Sequence, residues 1–157
     1  AKAARRAVTA APDLPAQVAQ GLRQRALDGL GLARRAGALI AGHDKVEQAL
    51  RQRRGAIAAL IEAADGSLRE RGKLRAIAPP GIAVLDDGDA AALQAACGTL
   101  GPLVHGVLLK TGVAEKILAD WHRWRRFEGR PALHLPAGWD NQERPAGTTS
   151  FPGQPSE

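Results

Sequence analysis

Apolar residues near the start of the chain recur at every fourth place: Leu14, Val18, Leu22 and Ala26. That spacing puts side chains on one face of a helix. Ahead of it, residues 1–15 are Ala-rich and basic with Pro12 and Pro15 close together, which reads as a linker or arm. Gly29 and Gly31 interrupt the stripe before Arg34, Arg35 and Gly37, so two helical pieces with a bend are expected. Ala38-Leu-Ile-Ala41, a short apolar run between glycines, predicts a first short strand.

From Gly42 the pattern returns to a helical period, with Val46, Ala49 and Leu50 as the inner stripe. Asp44 stands three residues before Glu47, the spacing of a capping box. Arg51, Arg53 and Arg54 close this helix, where positive charge also suits the helix dipole. Residues 57–64 are almost wholly apolar and predict a strand buried on both faces, as in the middle of an α/β sheet. Ser67 and Glu70 repeat the capping-box spacing ahead of a basic helix through Arg69, Arg71, Lys73 and Arg75, which Pro79-Pro80-Gly81 stops. Residues 82–85 predict another buried strand. Asp89 then caps an Ala-rich helix ending at Cys97-Gly98, and residues 104–109 a further strand. A last helix begins near Thr111 with Val113, Ile117, Trp121 and Trp124 on one side. Residues 129–157, rich in Gly, Pro, Ser and Thr, read as a disordered tail. Helices alternating with short buried strands predict an α/β fold, a three-layer α/β/α sandwich on a small sheet.

Composition narrows the function. Aromatic residues are 3 % of the 157 and Tyr is absent, which excludes a surface that stacks bases on rows of aromatic rings. All aromatics lie at or after Trp121, so the main core is expected to be aliphatic. The single Cys97 excludes an internal disulfide framework and suits a reducing cytosol. No apolar run has the length of a membrane span and no leader pattern opens the chain, so no membrane role and a cytoplasmic location are expected. The chain opens on Ala1 and contains no Met, and is expected to be a piece of a longer protein.

The formal net charge is +6, and the excess lies in the first third: residues 1–56 carry 11 Lys or Arg against 4 Asp or Glu. Two tight clusters, Arg34-Arg35 and Arg51 to Arg54, would bind phosphates with release of counterions, or would merely solvate helix faces. Catalytic patterns are lacking. His43, His105, His122 and His134 are scattered without ligand spacing, so no metal or other cofactor is expected. Cys97, at a helix C-terminus where the dipole disfavours a thiolate, reads as a buried structural thiol. Gly29-Leu-Gly31 lacks the strand and third glycine of a dinucleotide loop. Gly98-Thr-Leu-Gly101 has the outline of a phosphate-clamping turn or of a plain connection. Gly42 and Gly98 are either backbone openings for a ligand or helix punctuation.

Leu30-Gly-Leu-Ala-Arg-Arg-Ala-Gly37, Gly42 opening a helix, Ala59-Leu-Ile-Glu-Ala-Ala-Asp65 and Leu93-x-x-Ala-Cys-Gly98 follow one another in fixed order. Over about Gly29 to Phe127 this succession resembles the ribosomal L-seven-Ae/L-thirty-e family of kink-turn RNA-binding proteins. More narrowly, it resembles the carboxy-terminal half of bacterial YlxR-type proteins. The resemblance implies a basic helical linker over 1–28, an RNA-binding sandwich over 29–128 and RNA recognition through two loops. In the family the first loop carries Gly-x-Asn-Glu, with a Lys three residues after the Glu. Here Gly42 matches, while Asp44, Lys45 and Gln48 stand at those polar places, which shifts the expectation from strict kink-turn reading to shape and phosphate. The second loop falls on Gly98 to Leu103, where Thr99, Leu100 and Pro102 suit packing on an extruded base.

The expected function is therefore non-enzymatic binding of structured RNA. Gly42, His43, Asp44, Lys45, Gly98, Thr99 and Leu100 would face the RNA, with Arg34, Arg35, Arg53 and Arg54 gripping phosphates. The alternative is a protein module that docks on the ribosome or an RNA-processing enzyme. A small nucleotide-using enzyme ranks last. Oligomeric state is not legible.

Overall fold

The computed structural model describes residues 2–136 and 139, with side chains from residue 13 onward. Its elements are α1 (Lys2–Arg35), β1 (Leu39–Ala41), α2 (His43–Gln52), a 3-10 turn (Arg54–Ala56), β2 (Ile57–Glu62), α3 (Leu68–Ile77), β3 (Ala83–Leu85), α4 (Ala90–Cys97), β4 (His105–Leu109) and α5 (Gly112–Phe127).

The strands form one mixed sheet in the order β1-β4-β2-β3. Both β1 and β2 run antiparallel to β4, and β2 is parallel to β3. Every residue of β2 is buried, as its almost wholly apolar run predicts for a strand covered on both faces. The pleat divides its side chains between two cores. Ala59 and Ile61 join Leu85 and Leu108 against α1, α4 and α5, with Leu30, Leu93, Ile117 and Trp121. Leu60 and Val107 face the other way, against Val46, Ala49 and Leu50 of α2 and Leu74 of α3. The molecule is thus an α/β sandwich with three helices on one face of the sheet and two on the other. The cores are mainly aliphatic; Trp121 and Trp124 meet edge to face at 5.5 Å, and Trp121 Nε1 donates to Asp87 at 2.7 Å.

Several expectations meet corrections. Instead of two pieces with a bend, α1 is one helix that also takes in the stretch expected as an arm. Gly29 and Gly31 do not break it; they let other elements approach. A Cβ on Gly29 would lie 2.7 Å from Ile117 Cγ1, and one on Gly31 would lie 2.6 Å from the carbonyl oxygen of Ala96. Ala26 and Leu27 are buried in the core, upstream of the boundary expected at residue 29, whereas Leu14 and Val18 of the same stripe are exposed. Asp44 caps nothing: α2 begins two residues earlier than an Asp44 cap would place it, with Gly42 as N-cap at φ 104° and no side-chain cap. Ser67, Asp89 and Thr111 do cap their helices, each accepting from the backbone N–H three residues on. Of the expected tail, Leu133 is buried and Leu135 and Trp139 pack on the core; residues 137, 138 and 140–157 lie outside the described residues.

Candidate nucleic-acid interface

The antiparallel pairing of β1 with β4 sets Ala41 opposite Gly106, and the Gly42 N–H donates to the His105 carbonyl at 3.1 Å. The loop entering α2 and the loop leaving α4 are therefore neighbours, although more than fifty residues separate them along the chain. Between them, with the first turn of α3 as a third wall, opens a cleft of about 620 Å3. Gly42, His43, Thr99, Gly101, Pro102 and His105 line it, with Ser67 and Glu70 from α3. Gly42 needs its missing side chain for conformation and not for space: φ 104° strains any other residue, yet nothing lies within 4 Å of its absent Cβ. Gly98 is the left-handed C-cap of α4, its N–H donating to Gln94 O at 2.9 Å, and it does not line the cleft.

The polar groups in the cleft are two imidazoles and a carboxylate. His43 and His105 meet edge to face, ring centres 5.5 Å apart. His43 Nε2 lies 2.8 Å from Glu70 Oε2, an ion-pair distance that does not coincide with a well-directed hydrogen bond. His105 is only 7 % exposed, and its Nδ1 has no hydrogen-bond partner. Burial pushes its imidazole below the ordinary histidine value, helped by the charge of nearby His43, so it favours the neutral form. The hydroxyls are committed to the backbone: Ser67 Oγ accepts from Glu70 N at 3.3 Å, and Thr99 Oγ1 donates to Gly101 O at 2.8 Å. Chemically the cleft offers imidazole, carboxylate and hydroxyl groups for hydrogen bonding, set among apolar walls.

Behind it stands a network of paired charges. Glu62, at the end of β2 and opposite His105, is fully buried and takes Arg71 Nε at 2.9 Å and Arg75 Nη2 at 2.8 Å. Burial alone would raise the Glu62 carboxyl; hydrogen bonds from Arg75 and Arg71, with their charges, outweigh it and hold it below the ordinary value. Arg75 continues to Asp86 at 3.3 Å, and Arg130 pairs with Asp87.

The expected site residues divide into three groups. Gly42, His43 and Thr99 come together in the cleft, and Leu100, entirely exposed, stands at its rim. Asp44 and Lys45 are exposed on the first turn of α2, beside the cleft and not in its lining. Arg34 reaches the start of the second loop, its Nη1 donating to the carbonyls of Cys97 and Gly98 at 3.2 Å each, and Arg35 lies near the same end of α4. Arg53 and Arg54 do not belong to this group. They follow the far end of α2, about 15 Å along a ten-residue helix from Gly42. His105, Ser67 and Glu70 are absent from the expectation. The sequence marks Ser67 and Glu70 only as a helix start and gives His105 no pattern, because the pairing of β1 with β4 is what makes His43 and His105 adjacent. Cys97 is a buried thiol, as expected; burial pushes its pKa up to about 11 against the opposing charge of Arg34.

No protein-family model matches the chain, and no curated protein matches it. Solved structures do resemble it, among them the following. A protein with unknown function from Bacillus halodurans is 26 % identical, with a TM-score of 0.51, over 61 % of this chain and 95 % of that one. The likeness therefore takes in nearly the whole of that protein and leaves more than a third of this chain outside it.

Proposed function

We propose that this chain is a non-enzymatic, cytoplasmic RNA-binding domain that takes structured RNA at the Gly42–His105 cleft, as its resemblance to the ribosomal L-seven-Ae/L-thirty-e family implies. The observation that carries the reading is the meeting of two glycine-bearing loops, distant in sequence, as two walls of one cleft. The N-terminus of α2 opens there without a side-chain cap, leaving backbone N–H groups for phosphate or base acceptors. Lys45 stands exposed on that turn, and Arg34 and Arg35 are exposed beside the second loop. Leu100 and Pro102 give an apolar surface for an unstacked base. Among the described residues no helix is long and apolar enough to cross a membrane.

A second reading, docking on a protein of the translation or RNA-processing machinery, is favoured by one observation: Leu68, next to Ser67 in the cleft wall, is a large apolar side chain left 79 % exposed. Anisotropy titration of a labelled internal-loop RNA separates the two. The native chain is expected to bind with strong salt dependence, and Arg35→Ala combined with Lys45→Glu to weaken it roughly tenfold, each lost phosphate contact lowering the salt slope by about one. Equal affinity and slope in native and variant chains would remove the cleft as an RNA site.

A further inference from the structure

Several acids of this domain gather at one end of the sheet, where Arg71, Arg75 and Arg130 pair with them. Glu62 ends β2, Asp65 and Glu70 follow it, and Asp86, Asp87 and Asp89 follow β3, so six acids gather at the cleft end of the sheet. The opposite end, where β2 and β3 begin and β4 finishes, carries Arg53, Arg54, Lys110 and His134. Lys110 N donates to Ala56 O at 2.8 Å, which brings the end of β4 against the turn that follows Arg53 and Arg54. Arg54, Lys110 and His134 line one shallow hollow of about 180 Å3 with the Pro79-Pro80-Gly81 turn, and no carboxylate lines it. Within five residues of any of these four basic groups along the chain, the only acid is Glu115.

Two of the four groups are also held in place. Arg54 Nη1 donates to the carbonyls of Ile77 and Leu50, which fixes its guanidinium at the ends of α3 and α2 with its other donors unused by those bonds. His134 packs against Gly81, whose absent Cβ would lie 3.0 Å from Nε2. Carbonyl capping accounts for Arg54 alone. Arg53 and Lys110 are exposed, and among the described residues neither has an ion-pair partner, unlike Arg71, Arg75 and Arg130 at the other end.

We propose that Arg53, Arg54, Lys110 and His134 form a second contact for the phosphate backbone of nucleic acid, on the end of the sheet opposite the Gly42–His105 cleft. Arg53, Arg54 and Lys110 are cations with no carboxylate in the hollow beside them, which suits phosphodiester binding by counterion release, and His134 adds a ring nitrogen for hydrogen bonding. This contact rests on the reading of the chain as an RNA-binding domain and lies outside the cleft.

The test compares salt dependence in three variants of the full chain with the same labelled RNA. Arg53→Ala with Lys110→Ala spares Arg54 and its helix caps, and thermal unfolding checks that it folds. Its slope of log K against log salt is expected to fall by about two, with affinity roughly tenfold weaker at 0.1 M salt. Arg25→Ala with Lys116→Ala removes two exposed charges from the groove between α1 and α5; its slope is expected to stay unchanged, and an equal fall would make the effect one of net charge and overturn the proposal. Arg35→Ala with Lys45→Glu reads the cleft. A fall there with no change in Arg53→Ala/Lys110→Ala overturns the second contact and leaves the cleft reading standing. The reverse result supports the second contact and overturns the cleft, a fall in both supports both, and a native chain that binds no RNA overturns both.

Discussion

Replacing Gly31 by Ala sets two opposed effects against each other inside one helix. In a helix interior Ala is favoured over Gly by about 1 kcal/mol. At Gly31, however, the new Cβ would lie 2.6 Å from the carbonyl oxygen of Ala96, a backbone atom that cannot turn aside as a side chain can. To restore van der Waals distance, α1 and α4 must separate by nearly 1 Å over a close-packed contact, and overpacking of this kind costs about 1–3 kcal/mol. Gly21, in the same helix with nothing within 4 Å, reports propensity alone. Gly21→Ala is expected to stabilise by about 0.5–1 kcal/mol, and Gly31→Ala to fall about 1–3 kcal/mol below it, a net destabilisation of up to about 2 kcal/mol. Urea denaturation of native and variant chains measures both. The displacement would also reach the second loop, since Arg34 holds the carbonyls of Cys97 and Gly98 immediately after Ala96. If Gly31→Ala proves as stabilising as Gly21→Ala, the close approach of α1 to α4 is refuted.

Glu62→Gln keeps the shape of the buried side chain but removes the charge between Arg71 and Arg75. A loss of about 2–3 kcal/mol is expected, below the usual cost of breaking a buried pair because Arg75 is 45 % exposed and water takes up part of the charge; an unchanged midpoint of denaturation would show that the pair contributes nothing. Stability is also expected to fall with acidification below about pH 6.5. Burial lowers both His105 and His122 in the folded state, so the unfolded chain binds protons first; their contribution is complete above the unfolded value and is lost as pH falls below it. His105→Gln should flatten that part of the profile, and a slope as steep as the native one would refute the assignment to His105.

Most of the frame was legible because it rests on short-range rules. The almost wholly apolar run over 57–64 marks a strand covered on both faces, and Ser67, Asp89 and Thr111 stand where helices start. Asp44 misleads because the glycine before His43 takes a positive φ and starts the helix two residues early, carrying the carboxylate outward. Gly29 and Gly31 have the appearance of breaks, and only the positions of Ile117 and Ala96 reveal them as points of close approach. The candidate site was half legible for the same reason. Its loops carry glycine, but what joins His43 to His105 is an antiparallel pairing across more than sixty residues, which no local pattern records. The arginines following α2 and the glycine that opens it belong to opposite ends of one rod, and treating them as one patch ignores the length of that rod.

The strand order has a consequence for self-association. Its two three-residue strands, β1 and β3, occupy the margins, while the six-residue β2 lies inside, flanked by partners on both sides. Ile57 to Glu62 is the segment best suited to cross-β stacking, and it is withheld from other copies as long as the sheet stays closed around it. Each margin displays so few free amides that it makes a poor template for strand addition. Resistance to fibre formation in this domain is therefore set by how tightly β4 and β3 remain zipped to β2, and destabilised variants should aggregate through that one hexapeptide.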